Sequence, residues 1–284
     1  MSGALVSVVG VVALAAALWL TATAWDTRRP PLLVLDPTAS RTRRLGAVLQ
    51  RASGLLAAGV VTGVLVLGLG ARLMMRVLAA TSSDSAQGRL TDAEEIVGEV
   101  TLGGTVGFVL FIGFFAGMFT VGVWVLLRRW FPHRSWMAGL MLAGLGGFLA
   151  RPSGFIDPDN NDFVILSPVW LAVLFAAGLI LLYGVSFAVL ADRWATSWPR
   201  LEATPIGVAA AVPMAAVFGL SVMVVVPALI MAAVICYAAW VRPIPERAER
   251  WLTNCERPGR WILAIAATLG AAWTSISAVQ TLTL

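Results

Sequence analysis

Two arginines stand at the end of a long apolar run, where a charged side chain is unusual. Arg72 and Arg76 are four residues apart near the end of the run 55–80, so in a helix they share one face. Guanidinium groups bind phosphate and carboxylate through charge-assisted hydrogen bonds. We therefore predict that Arg72 and Arg76, together with Arg151, bind an anion or a lipid phosphate.

Two glutamates follow in the next segment of the chain. The stretch Thr91-Asp92-Ala93-Glu94 matches a capping box, which predicts that a helix begins there. Glu95 and Glu99, at i and i+4, would then share a face of that helix and repel each other by a few tenths of a kcal/mol unless a cation compensates. We expect this face to lie opposite Arg72 and Arg76 on the preceding antiparallel helix.

A third charged segment contains Asp157, Asp159 and Asp162 within a turn-rich loop. Its beginning resembles a calcium-binding loop, but Asp162 stands where that loop needs glycine and Pro168 where it needs a bidentate glutamate. The pattern excludes an EF-hand and leaves a cation site or acidic partners of the arginines. The alternative for all eight charged residues is a set of interhelical salt bridges that only fixes helix packing.

The composition excludes several chemistries and indicates a membrane protein. The 284 residues are 59% hydrophobic and only 12% charged, with one histidine and no lysine among the 20 basic residues. A lysine Schiff base is therefore excluded, and so are sites that need two histidines, because His133 stands alone. Cys236 and Cys255 lie in dissimilar segments and give no disulfide framework. We expect no cofactor.

Seven apolar runs organise the chain, approximately at 4–24, 55–80, 100–127, 136–150, 163–190, 206–241 and 261–282. A membrane-spanning helix needs about 20 residues, so most runs predict one span each. The run 206–241 is long enough to form either a hairpin of two spans or one kinked helix, with Pro213 and Pro227 as kink positions.

Arginine distribution distinguishes these two topologies. With a hairpin, 16 of the 20 arginines fall on one side of the membrane, whereas a single span changes the division to 11 and 9. Cytoplasmic loops are enriched in arginine. We therefore predict an all-α, polytopic membrane bundle of about eight spans (seven if 206–241 is one kinked helix), with both termini on the extracytoplasmic side of a plasma or inner membrane. The abundance of Ala, Gly, Val and Arg favours a bacterial source.

The remaining pattern predicts how the helices meet and where they touch the membrane surface. Pairs of small residues four apart, such as Gly59/Gly63 and Gly113/Gly117, favour close approach of helix backbones. Segments 37–51 and 245–257 carry charges and apolar residues typical of amphipathic helices on the inner surface. The whole chain, 1–284, is expected to form one transmembrane domain.

Three classes of function are compatible with these features. Short loops and a charge-poor membrane interior favour a non-catalytic membrane subunit or assembly protein with an outward-facing charged cluster. The alternatives are transport of a small solute or a lipid phosphate, and an enzyme acting on a lipid headgroup. Arg151-Pro152-Ser153-Gly154 resembles motifs of lipid phosphatases, but Phe155 replaces the histidine that they need. Expected partners are the bilayer, anionic lipid headgroups and another membrane protein; the arginines flank apolar runs, so nucleic acid is not expected.

Overall fold

The computed structural model describes residues 40–91, 96–99, 101–150, 156, 159–199, 206–207, 209 and 255–282. Within these residues the chain forms helices and no β-strand, and one isolated antiparallel bridge joins Leu90 to Ile96. The α- and π-helices are α1 (Arg41–Thr62), π1 (Gly63–Gly70), α2 (Ala71–Thr81), α3 (Leu102–Phe108), π2 (Val109–Phe114), α4 (Phe115–Leu127), α5 (Ser135–Ala150), α6 (Asn161–Ile165), α7 (Val169–Ser197) and α8 (Glu256–Thr281). Two short 3-10 helices occupy Asp84–Ala86 and Arg128–Trp130. The all-α prediction is confirmed for this part of the chain.

Four helical stretches are long and apolar enough to cross a bilayer: Gly46–Thr81, Leu102–Trp130, Val169–Ser197 and Pro258–Thr281. The first joins α1, π1 and α2, and the second joins α3, π2 and α4. A shorter apolar helix, Ser135–Leu149, reaches about 22 Å at 1.5 Å per residue, less than the roughly 30 Å of a typical hydrocarbon core. These helices agree with the membrane-protein interpretation of the sequence.

The described helices alternate in direction between two ends of the bundle. At one end, which we call the basic end, the Arg128 guanidinium lies 3.2 Å from Asp192 and that of Arg129 lies 2.9 Å from Glu256. The Gln50 side chain also reaches this end and donates a 2.5 Å hydrogen bond to the Trp198 carbonyl. At the opposite end, which we call the far end, α2 ends and α3 and α7 begin.

The ion pair at the basic end joins the end of α4 to α7. Side chains of Arg128 and Asp192 are only 13% and 20% exposed, and the Ser135 hydroxyl donates a 2.5 Å hydrogen bond to the same carboxylate. Removing one partner of a poorly solvated ion pair takes a compensating charge away from the other, which is more damaging than the pair is stabilising.

We expect Asp192→Asn to lower the free energy of unfolding by about 2 kcal/mol. The amide keeps the size of the side chain and removes its charge. Asp84→Asn is the matched control, because Asp84 is exposed in a loop. Thermal unfolding of both variants in detergent measures the difference, and equal midpoints would contradict a stabilising role for the pair.

Glycines bring the first two long helices into backbone contact. A Cβ atom built on Gly59 would lie 2.7 Å from the Gly117 carbonyl oxygen, and one on Gly113 would lie 2.9 Å from that of Gly63. Both distances are shorter than real carbon contacts, so only glycine fits. The predicted small-residue contacts are confirmed at these two pairs, and Gly139 makes a similar approach to Gly184 on α7.

The helix predicted to start in the capping box starts later, so that prediction is wrong. α3 begins at Leu102, with the Thr101 hydroxyl accepting a hydrogen bond from the Gly104 amide at 3.1 Å. Upstream, the chain turns at Gly98, whose φ of 92° favours glycine and interrupts a helix. Glu99 therefore lies in a turn, and it does not share a helix face with residue 95.

Two other boundaries differ from the expected ones. The span predicted at 163–190 begins at Val169, directly after Pro168, because proline lacks the amide hydrogen that a helix interior needs. It continues to Ser197. In the first described segment, α1 runs without interruption from Arg41 into the apolar run, so residues 41–51 form its first turns instead of a separate surface helix.

Several predictions fall on residues outside the described part of the chain. They are the first span at 4–24, nearly all of the run 206–241, the segment 245–254 and the start of the segment 37–51. Glu95, Arg151 and Asp157 also lie outside it. The single-domain organisation stays a prediction.

Candidate functional site

A cavity of about 650 Å³ lies at the far end, between α2, the turn before α3, α6 and α7. Its polar lining consists of Arg72, Arg76, Gln87, Thr91, Glu99, Thr105, Asn160 and Asp162. Apolar side chains form the deeper wall, including Leu67, Ile112, Ala176 and Leu179. Leu67 precedes Arg72 by five residues, which is more than one helical turn, so the cavity is polar towards the bundle end and apolar below it.

The two arginines of α2 enter the same cavity, as their spacing predicts. The Arg72 guanidinium carbon lies 5.1 Å from the centre of the Phe108 ring, within the range of a cation–π contact. Arg72 is half-buried, whereas Arg76, one turn further along α2, is exposed. The pair therefore offers guanidinium groups at two levels of the cavity wall.

Two facing π-helical segments set the direction of Arg72 and Phe108. π1 ends one residue before Ala71, and π2 begins directly after Phe108. Gly68 of π1 contacts Val109 of π2, so the segments pack on each other beneath the cavity. A π turn holds an additional residue, which rotates everything beyond it by about 100° relative to a regular helix. The cavity-facing orientation of both side chains depends on these turns.

We expect Phe108→Leu to lower the free energy of unfolding by about 1 kcal/mol, because the contact with the Arg72 guanidinium is lost. Phe119→Leu is the control, since Phe119 is 59% exposed and lies outside the cavity lining. Chemical unfolding of the two variants measures the difference. An equal or larger effect of the Phe119 substitution would contradict the cation–π assignment.

The carboxylates reach the cavity from the connecting segments instead of from the long helices. Glu99 is exposed in the turn before α3. Asp162 lies in the first turn of α6, where the Asn160 side chain caps the helix by accepting a 2.9 Å hydrogen bond from the Asp162 amide. Both line the cavity with the two arginines, so basic and acidic groups share one site.

Hydrogen bonds tie the connecting segments to the helices around the cavity. The Ser167 amide donates to the Ser82 hydroxyl at 2.8 Å, and the Asn161 side chain donates to the Leu90 carbonyl at 3.0 Å. Beneath these bonds an apolar cluster that includes Leu78, Val97 and Phe163 packs the turn against α7. The segments that line the cavity at this end are therefore fixed to one another.

Sequence patterns identify only part of this site. Arg72, Arg76, Glu99 and Asp162 come together, whereas Asp159 is exposed and outside the cavity lining. Sequence reasoning missed the polar residues Gln87, Thr91, Thr105 and Asn160 and the aromatic Phe108; Asn160 alone has a recognisable signal, because it precedes a helix as a cap. Within the described part of the chain, no three His, Cys, Asp or Glu side chains meet in a way that could hold a metal ion.

Comparison of this chain with protein-family models, with curated proteins and with solved structures finds no match. The described residues define a class, a helical protein with helices long and apolar enough to span a membrane and with a charged cavity at one end of them.

Proposed function

We propose that this chain is a non-catalytic membrane protein whose far-end cavity binds the phosphate of a membrane lipid. The observation that carries the proposal is the lining of one cavity by Arg72 and Arg76 above an apolar wall. Arginine binds phosphate oxygens through two parallel, charge-assisted hydrogen bonds. A guanidinium group beside apolar side chains gains more from such a bond than one in water, because water competes less for it.

The apolar wall favours a lipid over a soluble phosphate compound. Leu69 and Leu73 line the cavity and are 45% and 65% exposed, and Ile112 across from them is 45% exposed. In a membrane these side chains face acyl chains, so the cavity is open towards the bilayer. A lipid can then place its headgroup at the arginines and keep its chains in the bilayer.

We propose in addition how the helices are oriented in the membrane. α7 ends and α8 begins at the basic end, since Asp192 and Glu256 both pair with arginines there. Because both of these helix ends lie on the same side, the chain between α7 and α8 must cross the membrane an even number of times. This supports two crossings in the run 206–241, and so the predicted eight spans over seven. The arginine-rich basic end is then cytoplasmic, the cavity faces the other side of a cell membrane, and both termini are extracytoplasmic.

Transport and headgroup chemistry are the alternative functions, and each has an assay that binding alone would not satisfy. A transporter moves its substrate across the membrane of sealed vesicles, and an enzyme converts the headgroup. We expect the purified chain to show neither transport nor turnover.

Equilibrium binding of dioctanoyl phosphatidic acid to the purified full chain in mild detergent tests the function directly. We expect saturable binding of one molecule per chain, and the binding should depend on Arg72 and Arg76. Absence of saturable binding, or binding that is unchanged without these arginines, would contradict the proposal.

A further inference from the structure

The described cavity lining contains two positive and two negative side chains. Arg72 and Arg76 supply the positive charges, and Glu99 and Asp162 supply the negative ones. A site built only for an anion has no need of carboxylates, because they repel it. The charge pattern instead complements a ligand that carries both signs.

The two signs lie at different levels along the bundle. Arg72 and Arg76 precede the end of α2 at Thr81 by nine and five residues, which places their Cα atoms about 13.5 and 7.5 Å below the helix end at 1.5 Å per residue. Glu99 precedes the start of α3, and Asp162 lies in α6 before α7 begins. The carboxylates therefore stand in the connecting segments, closer to the bundle end than the guanidinium groups.

We infer that the lipid in this cavity carries an ammonium group in its headgroup, with the phosphate against Arg72 and Arg76 and the ammonium against Glu99 and Asp162. The inference rests on the proposed function, because it assigns the remaining half of the same headgroup. In such phospholipids the phosphate is joined to the glycerol, and the ammonium lies further from the acyl chains. This order matches the levels of the two charge pairs.

The acidic pair also discriminates against lipids that carry only negative charge. The phosphate of phosphatidylglycerol can reach the arginines equally well, but its headgroup offers no cation to Glu99 and Asp162. A carboxylate beside an uncharged hydroxyl headgroup lacks the favourable charge interaction that an ammonium group would give it. Selectivity is therefore expected to depend on the carboxylates, and total phospholipid binding on the arginines.

Competition between two lipids with the same acyl chains tests the inference. The purified full chain in mild detergent is mixed with equal amounts of dioleoyl phosphatidylethanolamine and dioleoyl phosphatidylglycerol, and bound lipid is counted by native mass spectrometry. We expect the ethanolamine lipid to be bound at least fivefold more often. The double variant Glu99→Gln/Asp162→Asn should lose this preference but retain total phospholipid binding, and Asp159→Asn, outside the cavity lining, should keep the preference.

Equal binding of the two lipids by the unmodified protein, or a preference for phosphatidylglycerol, would overturn the inference. A preference that survives in the double carboxamide variant would overturn it as well. An Arg72→Ala/Arg76→Ala variant separates this failure from failure of the proposed function: if that variant binds both lipids like the unmodified protein, the phosphate assignment itself is wrong. Circular dichroism of each variant verifies that its helices are intact.

Discussion

Replacing both Arg72 and Arg76 by alanine is expected to weaken binding of dioctanoyl phosphatidic acid about 100-fold. A hydrogen bond to a charged group contributes roughly 1.5–3 kcal/mol, and half-buried Arg72 should supply most of the loss. Exposed Arg76 contributes less, because water screens it. A combined loss of about 2.8 kcal/mol corresponds to the 100-fold change, since each tenfold change in affinity is about 1.4 kcal/mol.

Arg89→Ala is the matched control for this experiment. Arg89 is an exposed arginine in the loop that follows α2, and it lies outside the cavity lining. Its removal lowers the net charge in the same region without changing the cavity, so we expect less than a threefold effect. An equal loss in the Arg89 variant and in the double variant would indicate non-specific attraction and contradict a defined phosphate site.

Gly117→Ala is expected to lower the free energy of unfolding by about 3 kcal/mol, at the upper end of the range for overpacked positions. A Cβ on Gly117 would lie 2.8 Å from the carbonyl carbon of Gly59. Backbone atoms on both sides of this contact leave no flexible side chain to move aside. The two long helices must then separate, and the cavity that lies beyond their contact loses its supporting wall.

Gly122→Ala is the control in the same helix, five residues further along. A Cβ there meets no atom within 4 Å, so the substitution should be neutral or stabilise the helix by roughly 0.5–1 kcal/mol through higher helix propensity. Unfolding of both variants in the same detergent, followed by tryptophan fluorescence, gives the comparison. Similar stability of the two variants would contradict the backbone contact between the helices.

The sequence predicts the helices better than it predicts the segments between them. In the described part of the chain, apolar runs locate the four helices that are long and apolar enough to span a membrane, because crossing the hydrocarbon requires about 20 apolar residues whatever the tertiary structure. Gly98, with a φ of 92°, follows the bridge that joins Leu90 to Ile96, and Val97 between them lies in an apolar cluster with residues of α7. The chain therefore turns at 96–99, and a capping-box pattern does not contain these contacts.

The sequence predicts only part of the candidate site, because contacts between separate segments decide which other residues line the cavity. Arg72 and Arg76 are charges in an apolar setting, so sequence alone identifies them as residues that need a polar environment. Phe108 is one of 12 phenylalanines and has no distinguishing pattern. Its contact with Arg72 arises from the rotation introduced by π1 and π2, and the hydrophobic pattern of an apolar helix does not reveal where an additional residue enters a turn.

Native mass spectrometry of the protein released from nanodiscs, without added lipid, tests the central claim most directly. We expect the unmodified protein to carry one phospholipid per chain and the Arg72→Ala/Arg76→Ala variant, with unchanged helix content, to carry none. The same phospholipid mass on both proteins would contradict a phosphate site at these arginines.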